Sequence, residues 1–312
     1  MKVAVIGAGG FVGQPVTRRL LAEGVDVRPI VRTPAGLPGE RTIADVDEAD
    51  WDALLEGMDA VIHLIARVHI VTDRAENPLA DNRRINTAGT LKIAEAAARA
   101  GVKRFVFVST VKVNGENNQP GKPFTADEEP TPLDAYGISK REAELGLLAL
   151  SERTGMEVTV VRPPLVYGPQ VRANFLSMMK LVRRGVPLPF GRVTGNRRSM
   201  VGIDNLVDLI VTLLRHKNAP GQIFFASDGH DVSTRELLSM LATAMGRKAR
   251  LLPVPVGMMR AAAKVTGKGA TAQRVLGSLQ VDISKTRELL DWTPPVSMEE
   301  GLRRTVTADW AE

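Results

Sequence analysis

Tyr136 and Lys140 stand four residues apart in Tyr136-Gly137-Ile138-Ser139-Lys140. On a helix both side chains lie on one face, a turn from each other. A phenol with its ordinary pKa of about 10 is a poor base at neutral pH. A fixed ammonium beside it favours the phenolate and lowers that value. The pair is suited to moving a proton to and from a hydroxyl or carbonyl oxygen. On an exposed helix the same spacing is ordinary surface, so its meaning depends on the elements around it.

Those elements alternate. Lys2–Ile6 is a short β-branched run followed by Gly7-Ala8-Gly9-Gly10-Phe11-Val12-Gly13. A helical pattern over Pro15–Glu23, ended by Gly24, leads to a second strand over Asp26–Val31, and the three form a βαβ unit. The glycine spacing is Gly7, Gly10, Gly13, with Val12 where a G-x-G-x-x-G turn has its last glycine. A tight turn, a close approach of backbone to pyrophosphate and a helix N-terminus aimed at an anion are predicted there, which makes a dinucleotide site. Further on, a helix at Trp51–Glu56, a strand at Asp59–Ile65, a long helix at Arg83–Ala100, a strand at Arg104–Ser109, a helix at Asp134–Glu152 with Asp134 as N-cap, and a strand at Glu157–Arg162 continue the alternation. The connection over Asn114–Pro132 is too long for an idle turn and is expected to border a site. The pattern predicts an α/β fold with a doubly wound parallel sheet. After Tyr167 the segments shorten and prolines multiply, as in a smaller mixed α/β substrate subdomain. The expected division is 1–166, with segments near 198–230, for dinucleotide binding, and mainly 167–312 for substrate. Helices are expected at Asn205–Arg215 and Thr234–Met245. Pro253–Val265, apolar and Met-rich, is read as packing in the core or against a partner.

The chain has 312 residues, no cysteine and a formal net charge of +6. Disulfides and cysteine–metal sites are excluded. Lys and Arg read as scattered among Asp and Glu, with no basic stripe of the kind that binds nucleic acid. No apolar run approaches the ~20 residues of a membrane span, and the N-terminal residues do not read as a signal peptide. A cytoplasmic protein acting on an anionic small molecule is expected. His69, His216 and His230 lack metal-ligand spacing, and His63 reads as a core histidine backing the cofactor loop.

With Ser109-Thr110 at a strand end ahead of the Tyr136 helix, the chain resembles the extended short-chain dehydrogenase/reductases, in their nucleotide-sugar epimerase/dehydratase branch. The resemblance runs through Gly7, Gly10 and Gly13, His63-Leu64-Ile65-Ala66, Asn86-x-x-Gly89-Thr90, Val108-Ser109-Thr110, Pro132-x-x-x-Tyr136-Gly137-x-Ser139-Lys140, Arg162-Pro163, Tyr167-Gly168-Pro169, Arg198 to Leu206, and Val281-Asp282-Ile283-Ser284-Lys285. It implies a Rossmann domain, with Tyr136 as acid/base and Lys140 holding the nicotinamide ribose and depressing the Tyr136 pKa. Thr110, and in second place Ser109, would hydrogen-bond the reacting oxygen. The implied cofactor contacts are Gly7, Gly10, Phe11, Val12, Gly13, Arg32, Asp45, Val46, Leu64, Ile65, Ala66, Asn86 and Pro163, besides Ser109, Tyr136 and Lys140. The implied substrate contacts are Lys112, Asn114, Leu165, Asn174, Arg198 and Arg274, besides Thr110 and Tyr136.

Arg32 follows the second strand, where NAD enzymes usually carry an acidic residue and an arginine can take the 2′-phosphate of NADP. The cofactor is therefore NAD or NADP, with a lean to NADP. Leu165 stands where many relatives have an asparagine, and Arg162-Pro163-Pro164 also occurs in steroid and flavonoid reductases of the family. Epimerisation at C4 of a UDP-hexose or UDP-N-acetylhexosamine ranks first. An NADPH-dependent 4-reductase of a UDP-4-keto-6-deoxy sugar follows, then a reductase of a non-sugar carbonyl, then a non-catalytic dinucleotide sensor. The resemblance also implies a UDP-sugar partner, a place in polysaccharide biosynthesis, and a homodimer through the helices at Arg83–Ala100 and Asp134–Glu152. It implies no metal.

Overall fold

In the computed structural model, which describes residues 1–67, 77–267 and 269–310, the chain opens with β1 (Lys2–Ile6) and α1 (Gly13–Ala22), then β2 (Asp26–Val31) and β3 (Arg41–Thr42). There follow α2 (Trp51–Leu55), β4 (Ala60–His63) and α3 (Pro78–Asn82). Arg83–Gly89 forms a π-helical turn that runs into α4 (Thr90–Arg99), ahead of β5 (Arg104–Val108). Then come a 3₁₀ turn at Val111–Val113, α5 (Ala135–Thr154), β6 (Glu157–Arg162) and β7 (Leu165–Tyr167). The remainder holds α6 (Ala173–Arg183), β8 (Met200–Gly202), α7 (Ile203–Arg215), β9 (Ile223–Phe225), α8 (Thr234–Ala244), α9 (Val256–Val265), α10 (Gly269–Leu276), α11 (Ser284–Leu290) and α12 (Met298–Trp310).

The main sheet is parallel in the order β3-β2-β1-β4-β5-β6-β9. Strand order reverses between β1 and β4, paired as Val5↔Ile62 and Ile6↔His63. Ligands of doubly wound sheets bind at the carboxyl ends of such strands. Successive residues of β1 serve opposite faces, as the period of two requires. Val3 and Val5 pack with Val16 and Leu20 of α1 and Leu206 and Ile210 of α7. Ala4 and Ile6 pack with Ile93 and Ala97 of α4 and Leu147 of α5. Burial on both faces explains why these strands read as continuous apolar runs.

β9 and α7 return to the main sheet after β7, β8 and α6 have left it, so the 198–230 region serves both layers. β7 pairs with β8 in a separate two-stranded sheet. Beyond it, Tyr167, Phe175, Met179, Leu188, Leu241 and Leu302 form a separate hydrophobic core in the C-terminal part of the chain. Its helix α8 starts on a capping box: Ser233 Oγ accepts from Glu236 N, and Ser233 N donates to the Glu236 carboxylate. The expected helix over Arg83–Ala100 is continuous in space, but its first part is a π-turn. α9 has no buried residue, so the core reading of Pro253–Val265 is corrected. Among the described residues no helix is long and apolar enough to cross a membrane. His69 lies outside the described residues.

Candidate active site

The turn after β1 is built on glycines for steric reasons. Gly7 takes φ +87°, a left-handed conformation that glycine adopts without strain. A Cβ on Gly13 would stand 2.1 Å from the Gly7 carbonyl oxygen, and one on Gly10 3.2 Å from the same atom. Helix α1 therefore starts hard against the turn. Its N-cap, Val12, supplies no side-chain cap. Gln14 N is taken by Gly10 O and Val16 N by Val12 O, and Pro15 has no N–H, so Gly13 N is the first-turn donor left for an anion. Phe11 and Val12 lie half-buried in this turn. Gly13→Ala is expected to abolish dinucleotide retention and to cost about 1–3 kcal/mol of stability through overpacking. Gly9→Ala, whose Cβ would meet only ordinary contacts from 3.4 Å outwards, is expected to change neither. Cofactor content and urea unfolding of the two variants make the comparison.

Leu64, Ile65 and Ala66 follow the end of β4, and Ile65 N lies against Gly7, 3.1 Å from where a Cβ would be. His63 braces this loop from inside the core. Its Nδ1 accepts from Ile65 N at 3.3 Å and its Nε2 meets Thr90 Oγ1 at 2.9 Å. With Nδ1 accepting, the proton sits on Nε2 and is donated to Thr90. Burial, with Lys140 nearby, pulls the His63 pKa down to about 3. The unfolded chain takes up a proton near pH 6.5 that the folded one refuses. Stability is thus expected to fall by about 1.4 kcal/mol per pH unit as pH drops from about 6.5 toward 3. Urea midpoints across that range should lose this slope in His63→Gln.

Asn86 lies buried in the π-turn. Its Oδ1 accepts from Arg67 N (2.8 Å), and its Nδ2 donates to Arg67 O (3.1 Å), Asn82 Oδ1 (3.1 Å) and Ser139 Oγ (3.0 Å). Gly89 packs on Val46, which would lie 2.7 Å from a Cβ there. Asp45 beside it accepts from Asp47 N and pairs with Arg84, and these hold its carboxyl below the usual range.

Tyr136 and Lys140 lie in the first two turns of α5. Asp134 caps the helix, accepting from Gly137 N at 2.7 Å. A Cβ on Gly137 would come within 2.7 Å of Lys112 O, so the start of α5 presses on the turn that carries Thr110. Lys112 reinforces the contact through ion pairs to Asp134 and to Glu116 (3.2 Å). Thr110, nearly buried, accepts from Lys112 N. The other tyrosine, Tyr167, is sealed in the core and donates to Asp228 at 2.7 Å. Tyr136 is therefore the phenol that can reach a ligand.

Lys140 is fully buried, with Nζ 4.0 Å from the centre of the Phe107 ring, and that nitrogen has no hydrogen-bond partner. A buried ammonium without an acceptor calls for one, and the hydroxyls of a nucleotide ribose would supply it. With the glycine turn and the uncapped helix, this fits a dinucleotide held by Gly7, Gly10, Gly13, Leu64–Ala66, Asn86 and Lys140. Burial pulls the Lys140 pKa down to about 7, against the opposing effect of Glu144. Tyr136 departs from expectation. Burial, with the Asp134 carboxylate second, pushes its phenol up rather than down.

Ser109 and Asn114 turn away from the site. Ser109 Oγ donates to Glu144 Oε1 at 2.5 Å. Arg162, fully buried, donates to Glu144 through Nε (2.9 Å) and Nη2 (2.5 Å), and to Asn114 Oδ1 through Nη1 (2.9 Å). Both residues belong to a buried polar cluster that joins β5, α5 and β6. Glu144, its centre, went unread in the sequence, although it continues the Tyr136–Lys140 face by four more residues. Pro163 is buried next to this cluster, and its carbonyl accepts from Val111 N.

Among the residues expected to contact substrate, Arg198 is largely enclosed. Its Nη1 donates to the carbonyls of Arg274 (2.7 Å) and Gly277 (3.2 Å), and burial lowers its pKa. Arg274 is half-exposed, while Leu165, Asn174 and Arg32 are exposed.

The chain matches the model of the NAD dependent epimerase/dehydratase family over residues 3–226. It is 44% identical to a UDP-glucose 4-epimerase of Vibrio cholerae, over 98% of this chain and 94% of that protein. It is 27% identical, over 97% and 94%, to the N-acetyl-alpha-D-glucosaminyl-diphospho-ditrans,octacis-undecaprenol 4-epimerase of Escherichia coli O157:H7. The crystal structure of a Bacillus cereus UDP-glucuronic acid 4-epimerase in complex with NAD superposes with a TM-score of 0.78 at 25% identity, over 99% of this chain and 96% of that one.

Proposed function

The chain belongs to the NAD dependent epimerase/dehydratase family, and on that premise we propose that it interconverts the C4 epimers of a UDP-hexose or UDP-N-acetylhexosamine. The observation that carries this reading is the buried, unpartnered Lys140 ammonium one helical turn from Tyr136. In the proposed reaction Tyr136 takes the proton of the C4 hydroxyl and returns it after the sugar has turned over. Lys140 holds the ribose and, once hydrogen-bonded there, keeps its charge beside the phenol. Thr110 hydrogen-bonds the reacting oxygen. Arg198, with Arg274, is assigned to the diphosphate, for which a guanidinium enclosed by carbonyls is suited. A nicotinamide dinucleotide, which the glycine turn, Asn86 and Lys140 would hold, would supply the hydride acceptor and donor for C4 and leave the cycle redox-neutral.

The relatives named above support NAD. Arg32, exposed past β2 with no acidic residue in Val31-Arg32-Thr33, leaves NADP as the second reading. Denaturing the purified protein and identifying the released dinucleotide decides between them. Conversion of UDP-galactose to UDP-glucose without added reductant is the expected activity. Turnover that consumes NADPH and requires a UDP-4-keto-6-deoxy sugar would replace it with the reductase. We further propose a cytoplasmic homodimer through the outer faces of α4 and α5, where Leu145 is 51% exposed. A monomeric mass in solution removes that part.

A further inference from the structure

The mixing of charges that marks the chain as a whole fails in two stretches. Residues 158–203 contain eight Lys or Arg and residues 237–281 seven, and neither contains a single Asp or Glu. The structure puts these stretches side by side. Leu188 N donates to Arg250 O (2.8 Å), Leu252 N to Leu188 O (2.7 Å), and Arg247 Nη1 to Arg183 O (2.8 Å). The same two stretches carry most of the large apolar side chains left in water: of the nine exposed among the described residues, Leu165, Leu181, Val186, Leu252, Met258 and Val265 all fall within them.

Their centre is α9. Val256, Met259 and Ala263 turn toward the protein, while Met258 (64% exposed), Ala262 and Val265 (88% exposed) line one flank of the outer side. Arg260 and Lys264 occupy the other flank. Lys180, Arg184, Lys248, Arg250, Arg260 and Lys264 are exposed and form no ion pair among the described residues. In the N-terminal half, by contrast, Arg83, Arg84, Arg99 and Arg104 each pair with a carboxylate.

Unneutralised cations mixed with exposed apolar side chains on an amphipathic helix suit one kind of surface, in which negative headgroups overlie hydrocarbon. A nucleic acid would satisfy the cations and leave Met258 and Val265 without a partner. We propose that this face of the C-terminal subdomain docks on an anionic phospholipid membrane. α9 lies in the headgroup plane, and the Lys180–Val186 and Lys248–Leu252 segments flank it. The docking is independent of the reaction, so its failure would leave the epimerase reading untouched.

Vesicle sedimentation tests it. The full chain should pellet with vesicles of phosphatidylcholine and phosphatidylglycerol, not with phosphatidylcholine alone, and added salt should release it. Arg260→Glu with Lys264→Glu is expected to weaken the binding on the order of 100-fold. Met258→Glu with Val265→Glu should abolish it while epimerase turnover and thermal midpoint stay unchanged. The proposal falls if the chain ignores the anionic vesicles. It falls equally if binding survives Met258→Glu with Val265→Glu, since cation attraction alone would then explain it. It also falls if those substitutions dissolve a self-associated species that shows no vesicle binding, since the face is then an interface between copies.

Discussion

Tyr136→Phe is expected to lower turnover by about 10²–10⁴-fold, the usual worth of a positioned acid/base, with the fold and the dinucleotide content unchanged. The phenyl ring keeps the packing of the half-buried side chain. The helix start is held by Asp134, Gly137 and Ser139, none of which needs the phenol oxygen. No second phenol can substitute, because Tyr167 is buried and bonded to Asp228. The pH dependence sharpens the test. In the protein alone, burial and Asp134 hold the Tyr136 proton on more firmly than in water. Lys140 is drawn to about 7. Only a Lys140 that recovers its charge through bound ribose hydroxyls can favour the phenolate. Lys140→Met should therefore lose both cofactor retention and rate, whereas Tyr136→Phe loses rate alone. Steady-state turnover of UDP-galactose, circular dichroism and released dinucleotide separate the two. Wild-type turnover in Tyr136→Phe would rule out the mechanism.

Glu144→Ala is expected to cost about 3–5 kcal/mol of stability, because it leaves the Arg162 guanidinium fully buried with its main acceptor gone. Ser109 loses its acceptor as well. Arg162→Met with Glu144→Leu should recover most of that loss, since apolar replacement of a whole buried pair is often neutral. Urea unfolding of the single and double variants measures the difference. A single variant as stable as the parent would mean that the cluster is not closed to water. Arg162 also anchors Asn114, and Asn114 O accepts from Thr131 Oγ1 at 2.8 Å. The long connection from Asn114 to the start of α5 is thereby tied to the end of β6.

What could be read without coordinates was what short-range pattern encodes. The Gly7–Gly13 turn, the Asp134 cap and the Tyr136–Lys140 face each depend on residues within a helical turn or two. Strand limits at Lys2–Ile6, Asp26–Val31 and Glu157–Arg162 followed from β-branched runs and their glycine and proline stops. Where side chains would point was not legible. Their place near the strand end suggests Ser109 and Asn114 as ligand contacts, but their partners Glu144 and Arg162 lie 35 and 48 residues away. The depression expected for the Tyr136 phenol is not seen in the protein alone, where its burial and the Asp134 carboxylate act through surroundings that leave no trace in the spacing. The π-turn at Arg83–Gly89 keeps a helical pattern and cannot be told from an α-helix by period. Pro253–Val265 has a composition that a core helix and a surface helix share. The acid-free stretches, by contrast, were present in the letters and were hidden by averaging charge over the whole chain.

Asn86 clasps two parts of the site with one carboxamide. Through Arg67 it grips the loop after β4, and through Ser139 it grips the helix that carries Tyr136 and Lys140. Neither can swing outward without breaking bonds to the same side chain. A ligand seated between them would leave no faster than this clasp opens. Its residence time is then governed by an opening rate within the protein as well as by the strength of its own contacts. That arrangement suits an enzyme whose dinucleotide must stay through many turnovers.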